Sequence, residues 1–415
     1  MSLTTSSDVS GRPRSWLRPL DGALRRGVLA RLASIEDGGL VVVEDEFSRT
    51  FGAGTDDPHV GRIEVRDSRT WRLCTLAGAL GFAEAYVRGY WTSPDLVAVL
   101  RVFARNIARS SGPGWLDAGP ARWLARRWHA QRPNSRAGAR RNVRDHYDLG
   151  NDFFRLFLDE TMTYSCAFFA RPEISLRDAQ LAKLDLVIDA LAIGPEDHVL
   201  EIGTGWGSFA IRAAARSGCR VTTTTISREQ HHEATARVRA AGLADRVEVL
   251  DQDYRTLRGT YDKIASIEMI EAIGRAQGPT FFAKCADLLR PGGTLLVQAI
   301  TMAERDWDHY VRNPDFIQLR VFPGSSLVSL PWMRESIAGT DLQLESTSSL
   351  GPHYAETLRR WRSAFRTRRA EARELGYGES FLRLWDYYLA YCEAGFREDY
   401  VDDVQVRFRR PGAAT

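Results

Sequence analysis

Between His198 and Ile300 the chain alternates short β-branched or apolar runs with helical segments. The first run opens into a glycine turn, Val199-Leu-Glu-Ile-Gly-Thr-Gly-Trp-Gly207. His198–Ile202 predicts a strand, and an alanine-rich helix follows from about Ser208 to Ser217, stopped by Gly218. Arg220–Ile226 predicts a second strand and Arg228–Ala241 a second helix, stopped by Gly242. Val247–Leu250, Asp262–Ile267 and Thr294–Ile300 complete the set, the last after the turn Pro291-Gly-Gly293. Strand–helix–strand order of this kind builds a parallel sheet with helices on both faces. The expected fold class is therefore α/β.

A glycine turn after the first strand lets backbone approach a ligand closely and points the next helix's N-terminus at it. Dinucleotides compete for such a turn, but three details disfavour them. Glu201 lies inside the strand, the spacing is GxGxG rather than GxGxxG, and no acid ends the second strand where a ribose ligand normally sits. That strand runs instead into Thr225-Ile-Ser-Arg-Glu-Gln230, and Asp251-Gln-Asp-Tyr254 follows the third. These polar groups suit the ribose and adenine of S-adenosylmethionine. The fold expected is a Rossmann-like class I S-adenosylmethionine methyltransferase domain.

At 415 residues the chain is too long for one ordinary core. We expect a smaller α+β N-terminal domain over residues 1–110, a basic linker with a helix over 111–140, and the methyltransferase domain over 141–415. The N-terminal part carries strand-like runs at Leu40–Val43 and Arg62–Val65 and a helical segment from Asp95 to Ala108. Charged residues at 26% fit a soluble globular chain, and no apolar run of ~18 residues predicts a membrane span. The N-terminus lacks the apolar core of a signal peptide. Five scattered cysteines without a CxxC pair predict neither a disulfide framework nor a metal site. A cytoplasmic location is the default expectation. The stretch 101–144 is dense in arginine, with Trp115, Trp123 and Trp128 interleaved, and fits either an anionic partner or a solvated helix face.

Several longer stretches carry a resemblance. They are His146-Tyr-Asp-Leu-Gly-Asn-Asp-Phe-Phe154, Thr161-Met-Thr-Tyr-Ser-Cys-Ala-Phe168, Thr225–Gln230, Ser266-Ile-Glu-Met-Ile-Glu271, Phe322-Pro-Gly324 and Tyr387-Tyr-Leu-Ala-Tyr-Cys392. With them the chain resembles the cyclopropane fatty acid synthases, including the mycolic acid cyclopropane synthases, over roughly residues 140–410. Gln298-Ala-Ile-Thr-Met302 and Cys392-Glu-Ala-Gly-Phe396 are similar to the actinobacterial branch linked to tuberculostearic acid. The resemblance implies that Tyr164, Ser165, Gly203, Gly205, Thr225 and Gln230 contact the cofactor, beside Glu201 and Gln252. It also implies a bicarbonate ion acting as base in a cage of Cys166, Glu271, Tyr354 and Cys392, with Gln298 where the family usually has histidine. Glutamine can hydrogen-bond an anion but carries no charge.

The implied substrate is an unsaturated phospholipid acyl chain, oleoyl-like, met at the membrane surface by a peripheral protein on the inner face. Methyl transfer to a cis alkene leaves a carbocation, so the site must be dry, and aromatic faces can shelter the charge. Phe168, Phe169, Tyr310, Phe316, Phe322 and Tyr354 are candidates, and Phe322–Ile337 is a candidate interfacial or tunnel-mouth element. Direct ring closure gives a cyclopropane. A hydride shift followed by proton loss gives a 10-methylene chain that a separate flavin- or NADPH-dependent reductase would saturate. No nucleic-acid module is expected, and a homodimer is compatible with the sequence. A small-molecule methyltransferase is the rival reading. Each site residue also has a plainer explanation: Cys166 and Cys392 as buried thiols, Tyr354 as a surface aromatic, and Glu271, or more readily Glu268, as a helix-start acid.

Overall fold

The computed structural model describes residues 18–53, 60–109 and 149–412. The linker expected at 111–140, the arginines beyond Arg109 and His146 lie outside the described residues.

The large sheet has seven strands. In chain order they are β5 (His198–Ile202), β6 (Arg220–Thr225), β7 (Val247–Asp251), β8 (Tyr261–Ile267), β9 (Leu289–Met302), β10 (Gln343–Ser349) and β11 (Val401–Arg409), arranged β10-β11-β9-β8-β5-β6-β7. The five from β5 to β9 are mutually parallel, as their apolar runs predict. β11 pairs antiparallel with both β9 and β10, so the sheet is mixed rather than wholly parallel. The two late strands lack the apolar signal. β10 reads QLESTSS, and β11 carries three polar residues in its first five.

β5 pairs with β6 on one side and β8 on the other, so the strand order reverses there and a crevice opens at the carboxyl ends. The helices flanking it are α4 (Leu176–Leu191), α5 (Ser208–Ser217), α6 (Arg228–Ala240) and α7 (Gly278–Leu288). Ser175 and Ser227 cap α4 and α6, each accepting a backbone N–H of the first turn. Beyond β9 the chain adds α8 (Glu304–Arg312), α9 (Phe316–Arg320), α10 (Leu330–Ser336), α11 (Gly351–Thr367) and α12 (Glu379–Arg397).

The N-terminal region forms a second sheet, β2-β1-β3-β4, from β1 (Gly39–Glu44), β2 (Phe47–Gly52), β3 (Val60–Val65) and β4 (Trp91–Thr92). It packs with α1 (Arg18–Leu32), α2 (Arg69–Val87) and α3 (Leu96–Arg109). α2 is broken at Gly78, whose φ of 55° no ordinary helical residue adopts. A Cβ at Gly81 would lie 1.8 Å from the Leu73 carbonyl oxygen, so only glycine lets the two halves close.

One apolar cluster runs from Leu40, Val42 and Trp91 of this region through Phe153, Phe154 and Phe157 to Trp361, Trp385 and Leu389 of α11 and α12. The boundary is also bonded. Tyr86 donates to Asp386 at 2.8 Å, Arg362 donates to the same carboxylate at 2.8 Å, and Arg383 donates to the Trp91 carbonyl at 2.8 Å. Arg101 and Arg105 grip Glu398. These two members of the arginine-rich stretch therefore serve the contact between the two sheets' layers.

Candidate active site

The crevice at the end of β5 is the cofactor cavity. Gly203 (φ 107°) and Gly205 (φ 52°) turn the chain across its mouth. A Cβ on Gly203 would press to 3.0 Å from the Met269 side chain, whereas one on Gly205 would meet nothing within 4 Å. The turn is tight on its protein side and open on its cavity side, a cradle for a ligand's backbone-hugging portion. Tyr164, Ser165, Glu201, Thr225, Gln230 and Gln252 line the same cavity, so all eight residues expected to meet the cofactor are gathered there.

Their hydrogen bonds explain their aim. Thr225 donates to Gln230 Oε1 at 2.9 Å, leaving the amide nitrogen of Gln230 free of that bond. Thr223 donates to Glu201 at 2.6 Å, and burial pushes the Glu201 carboxyl up to about 8. Thr224 donates to the Gln252 carbonyl at 2.6 Å, which fixes the loop after β7. Tyr164 and Tyr388 share a hydroxyl–hydroxyl bond of 2.9 Å.

Deeper in, three donors converge on one carboxylate, and it is Glu268. The Cys166 backbone N–H reaches Oε1 at 2.7 Å, Gln298 Nε2 reaches Oε1 at 2.9 Å, and the Tyr354 hydroxyl reaches Oε2 at 2.6 Å. Glu268 is thus not a helix-start acid. It follows β8 directly, its backbone N–H donates to the Gln298 carbonyl at 2.8 Å, and its φ is 47°. A non-glycine residue held in the left-handed region costs about 1–3 kcal/mol and persists where the surroundings demand it. The Glu268 side chain keeps some accessible surface because it faces the cavity, although it lies deep in the protein.

Around this carboxylate the electrostatics are those of a closed interior. Lys183 is fully buried; its ammonium donates to Ser165 Oγ at 2.7 Å, and burial lowers its pKa against the pull of Glu268. Asp403, also fully buried, accepts from Gln298 Nε2 at 2.8 Å. Burial raises Glu268 and Asp403 alike, with their mutual repulsion lifting Asp403 further. Glu268 collects three donors and faces Lys183, whereas Asp403 accepts from Gln298 at one oxygen while its other oxygen has no hydrogen-bond partner. The negative charge therefore belongs on Glu268. Burial, then the charges of Asp403 and Glu268, push the Cys166 thiol far up, so Cys166 acts through its backbone N–H.

Other expectations need correcting. Glu271 makes no hydrogen bond to Glu268 or its three donors: Oε1 accepts the Ile300 N–H at 2.6 Å, Oε2 has no hydrogen-bond partner, and burial raises the carboxyl to about 8. Glu271 is a neutral acid at neutral pH. Cys392 makes no hydrogen bond to Glu268 or its donors; burial, then the charge of Asp315, pushes its thiol well up. Gln298 holds an anion as expected, but that anion is a side chain. Phe168 packs on His353 and Phe169 lies under Arg360, whereas Phe322 packs on Tyr388 and Phe316 on Tyr387. Phe322 thus joins the Tyr164–Tyr388 pair, and Tyr354 reaches Tyr164 through Trp361. In the stretch Phe322–Ile337, Trp332 and Met333 are buried in the core, whereas Phe322, Leu327 and Leu330 keep partial exposure.

Sequence reading missed Lys183, Glu268 and Asp403 as site residues. A signal for the first was present. Gln180, Lys183, Leu184, Val187, Ile188 and Leu191 form one helical stripe, and a lysine there sits on the buried face.

Comparison with known proteins agrees with this geometry. The family of mycolic acid cyclopropane synthetases matches residues 134–406. Tuberculostearic acid methyltransferase UfaA1 of Mycobacterium tuberculosis is 41% identical over 97% of this chain and 95% of its own length. A probable fatty acid methyltransferase of Pseudomonas putida is 34% identical over 69% of this chain and 72% of its own. The solved cyclopropane synthase MmaA2 of Mycobacterium tuberculosis superposes with a TM-score of 0.61 at 33% identity, covering 65% of this chain and 98% of that one. The solved mycolic acid cyclopropane synthase CmaA1, in complex with SAH and CTAB, gives the same figures. The fold and the glycine cradle fit S-adenosylmethionine, which is this enzyme's methyl donor. With a match over most of its length and a cofactor cavity built from the matching residues, the chain belongs to the mycolic acid cyclopropane synthetase family of S-adenosylmethionine-dependent methyltransferases.

Proposed function

We propose that the chain methylates the cis double bond of an unsaturated, oleoyl-like acyl chain carried on a phospholipid, giving a 10-methylene branch, the precursor of tuberculostearic acid. The observation that carries this reading is the extent of the likeness to the tuberculostearic acid methyltransferase. It takes in the N-terminal region, whereas the family match begins at residue 134.

S-adenosylmethionine supplies an electrophilic methyl group when bound. The protein's part is to hold the alkene in line with that methyl, which is worth about 7–11 kcal/mol when reacting atoms are well oriented. Phe322 and Tyr388 offer aromatic wall beside Tyr164, and such faces shelter a chain carbocation without trapping it. Water kept out of the cavity protects the cation until a proton is lost. The donors assigned to bicarbonate by resemblance are engaged by Glu268, so no step here is routed through that ion.

A second reading is supported by the solved relatives: the same cation closing directly to a cyclopropane. A small-molecule methyltransferase has only fold likeness behind it, at 19% identity to coclaurine N-methyltransferase. A phospholipid substrate makes the protein peripheral to the inner membrane face, and no helix among the described residues is long and apolar enough to cross a membrane. A methylene product calls for a flavin- or NADPH-dependent reductase as a downstream partner.

The test is transfer of label from methyl-labelled S-adenosylmethionine to three acceptors: oleoyl phospholipid vesicles, free oleate and an oleoyl thioester. Label in intact phospholipid is expected. Label confined to either of the other two would overturn the substrate assignment.

A further inference from the structure

We infer that Glu268 is the general base of this reaction, its carboxylate taking the proton from the newly transferred methyl group in place of a bound bicarbonate. The inference deepens the methyl-transfer reading above and rests on it.

Three observations carry it. First, the oxygens of Glu268 sit where a small planar anion would be caged. A backbone N–H, an amide N–H and a phenol O–H all point at them, at 2.6–2.9 Å. A carboxylate and a bicarbonate present the same pair of oxygens at one carbon, so one cage cannot hold both. Second, Glu268 lines the cofactor cavity together with Gly203, Thr225 and Gln230, whereas neither Glu271 nor Asp403 does. Of the other acids lining that cavity, Glu201 is held by Thr223 on the neighbouring strand and Asp253 by Arg255. Third, the backbone at Glu268 is left-handed, an arrangement glycine would adopt without strain. A glutamate kept there at a cost points to a role for its side chain.

The donor set also suits a base rather than a permanent acid. Three hydrogen bonds and the buried Lys183 ammonium hold Glu268 as the anion, while low-dielectric surroundings keep it reactive. Gln298 is locked from behind by Gln405, which donates to its Oε1 at 3.1 Å, so its Nε2 stays aimed at Glu268 and Asp403.

The alkene π pair forms the new carbon–carbon bond as the methyl–sulfur bond breaks, leaving neutral S-adenosylhomocysteine and a cation on the chain. A hydride shifts to place the positive charge on the carbon bearing the methyl. The Glu268 carboxylate then takes one methyl proton, and the released C–H pair becomes the C=CH2 bond. Glu268 ends as the neutral acid and returns to the carboxylate when product leaves and water enters.

Four measurements on the full chain test this. With oleoyl phospholipid vesicles in CO2-free buffer, the wild-type rate should be unchanged by added bicarbonate. Glu268→Gln should lower kcat by about 10²–10⁴-fold, the usual weight of a general base, with S-adenosylhomocysteine binding retained. Glu268→Gly relieves the backbone strain and empties the cage, so it should fold, be inactive alone, and regain activity with formate or bicarbonate. A substrate-independent arm uses the 13C NMR line of bicarbonate. The wild type should leave it sharp, and Glu268→Gly should broaden it.

A wild type that needs bicarbonate or broadens its line would overturn the inference, as would an active Glu268→Gln. If the wild type modifies no oleoyl lipid, the substrate reading fails while the bicarbonate line still decides the base.

Discussion

The N-terminal region and the methyltransferase core bury their residues on different terms. Around β1–β4 the interior is apolar: Leu40, Val42, Trp91, Val99 and Val102 are fully enclosed, and among the described residues there the buried polar side chains are Asp21 and Thr70. Behind β5, β8 and β9 the interior holds Lys183, Glu201, Glu271, Gln298 and Asp403, all buried, with Glu268 at the cavity face. Burying such groups is costly unless they are paired, and pKa values perturbed by burial and charge together mark functional sites. The contrast separates a region that stabilises from one that spends stability on chemistry, and Asp386 joins them.

Breaking that joint should have the largest effect. Asp386→Ala removes the partner of Arg362 and Tyr86 and leaves a nearly enclosed guanidinium without its hydrogen-bonded carboxylate. A loss of about 3–5 kcal/mol in denaturant unfolding is expected. Full retention of stability would mean that apolar contact alone holds the two regions together.

Within the site, Tyr354→Phe deletes one of three donors to Glu268. Hydrogen bonds to charged groups are worth about 1.5–3 kcal/mol, so kcat should fall roughly 10–10²-fold. S-adenosylhomocysteine affinity, measured by calorimetry, should hold steady; a parallel loss of affinity would place Tyr354 in the cofactor site instead.

Glu271 sharpens the contrast through pH. Its folded pKa of about 8, raised by burial and then by Glu268, lies above the ordinary glutamate value. Between those two values the folded protein keeps a proton that the unfolded chain has lost, so stability falls as pH rises through that window. Glu271→Gln mimics the neutral acid and keeps an acceptor for the Ile300 N–H. Its melting temperature relative to wild type should therefore climb from pH 5 to pH 8. A pH-independent difference would remove Glu271 from the coupled group. Smallest of all, Glu84→Ala on α2 removes ion pairs to Arg88 and Arg320 that face solvent, and should change stability by about 0–1 kcal/mol.

The parallel strands and the glycine turn are legible in the sequence because apolar runs, β-branched residues and stop signals all agree there. β10 and β11 are not, because β11 takes its register from β9 and β10 from β11, and polar residues interrupt their apolar pattern. The cofactor residues are legible from the turn and the two following loops. The base is harder to see. Glu268 precedes a short 3-10 turn at Ile270–Ala272, so an acid there looks like a helix-start residue. Its position directly after a parallel strand at the switch point is the stronger signal. Cys392 enters the cage by resemblance alone, and no hydrogen bond ties it to Glu268 or its donors.

The most direct test of the account is the proton NMR spectrum of lipid recovered after incubation with S-adenosylmethionine and oleoyl phospholipid vesicles. Vinylidene protons are predicted. Upfield cyclopropane protons would contradict the methylene product, and unmodified lipid would contradict the acceptor itself.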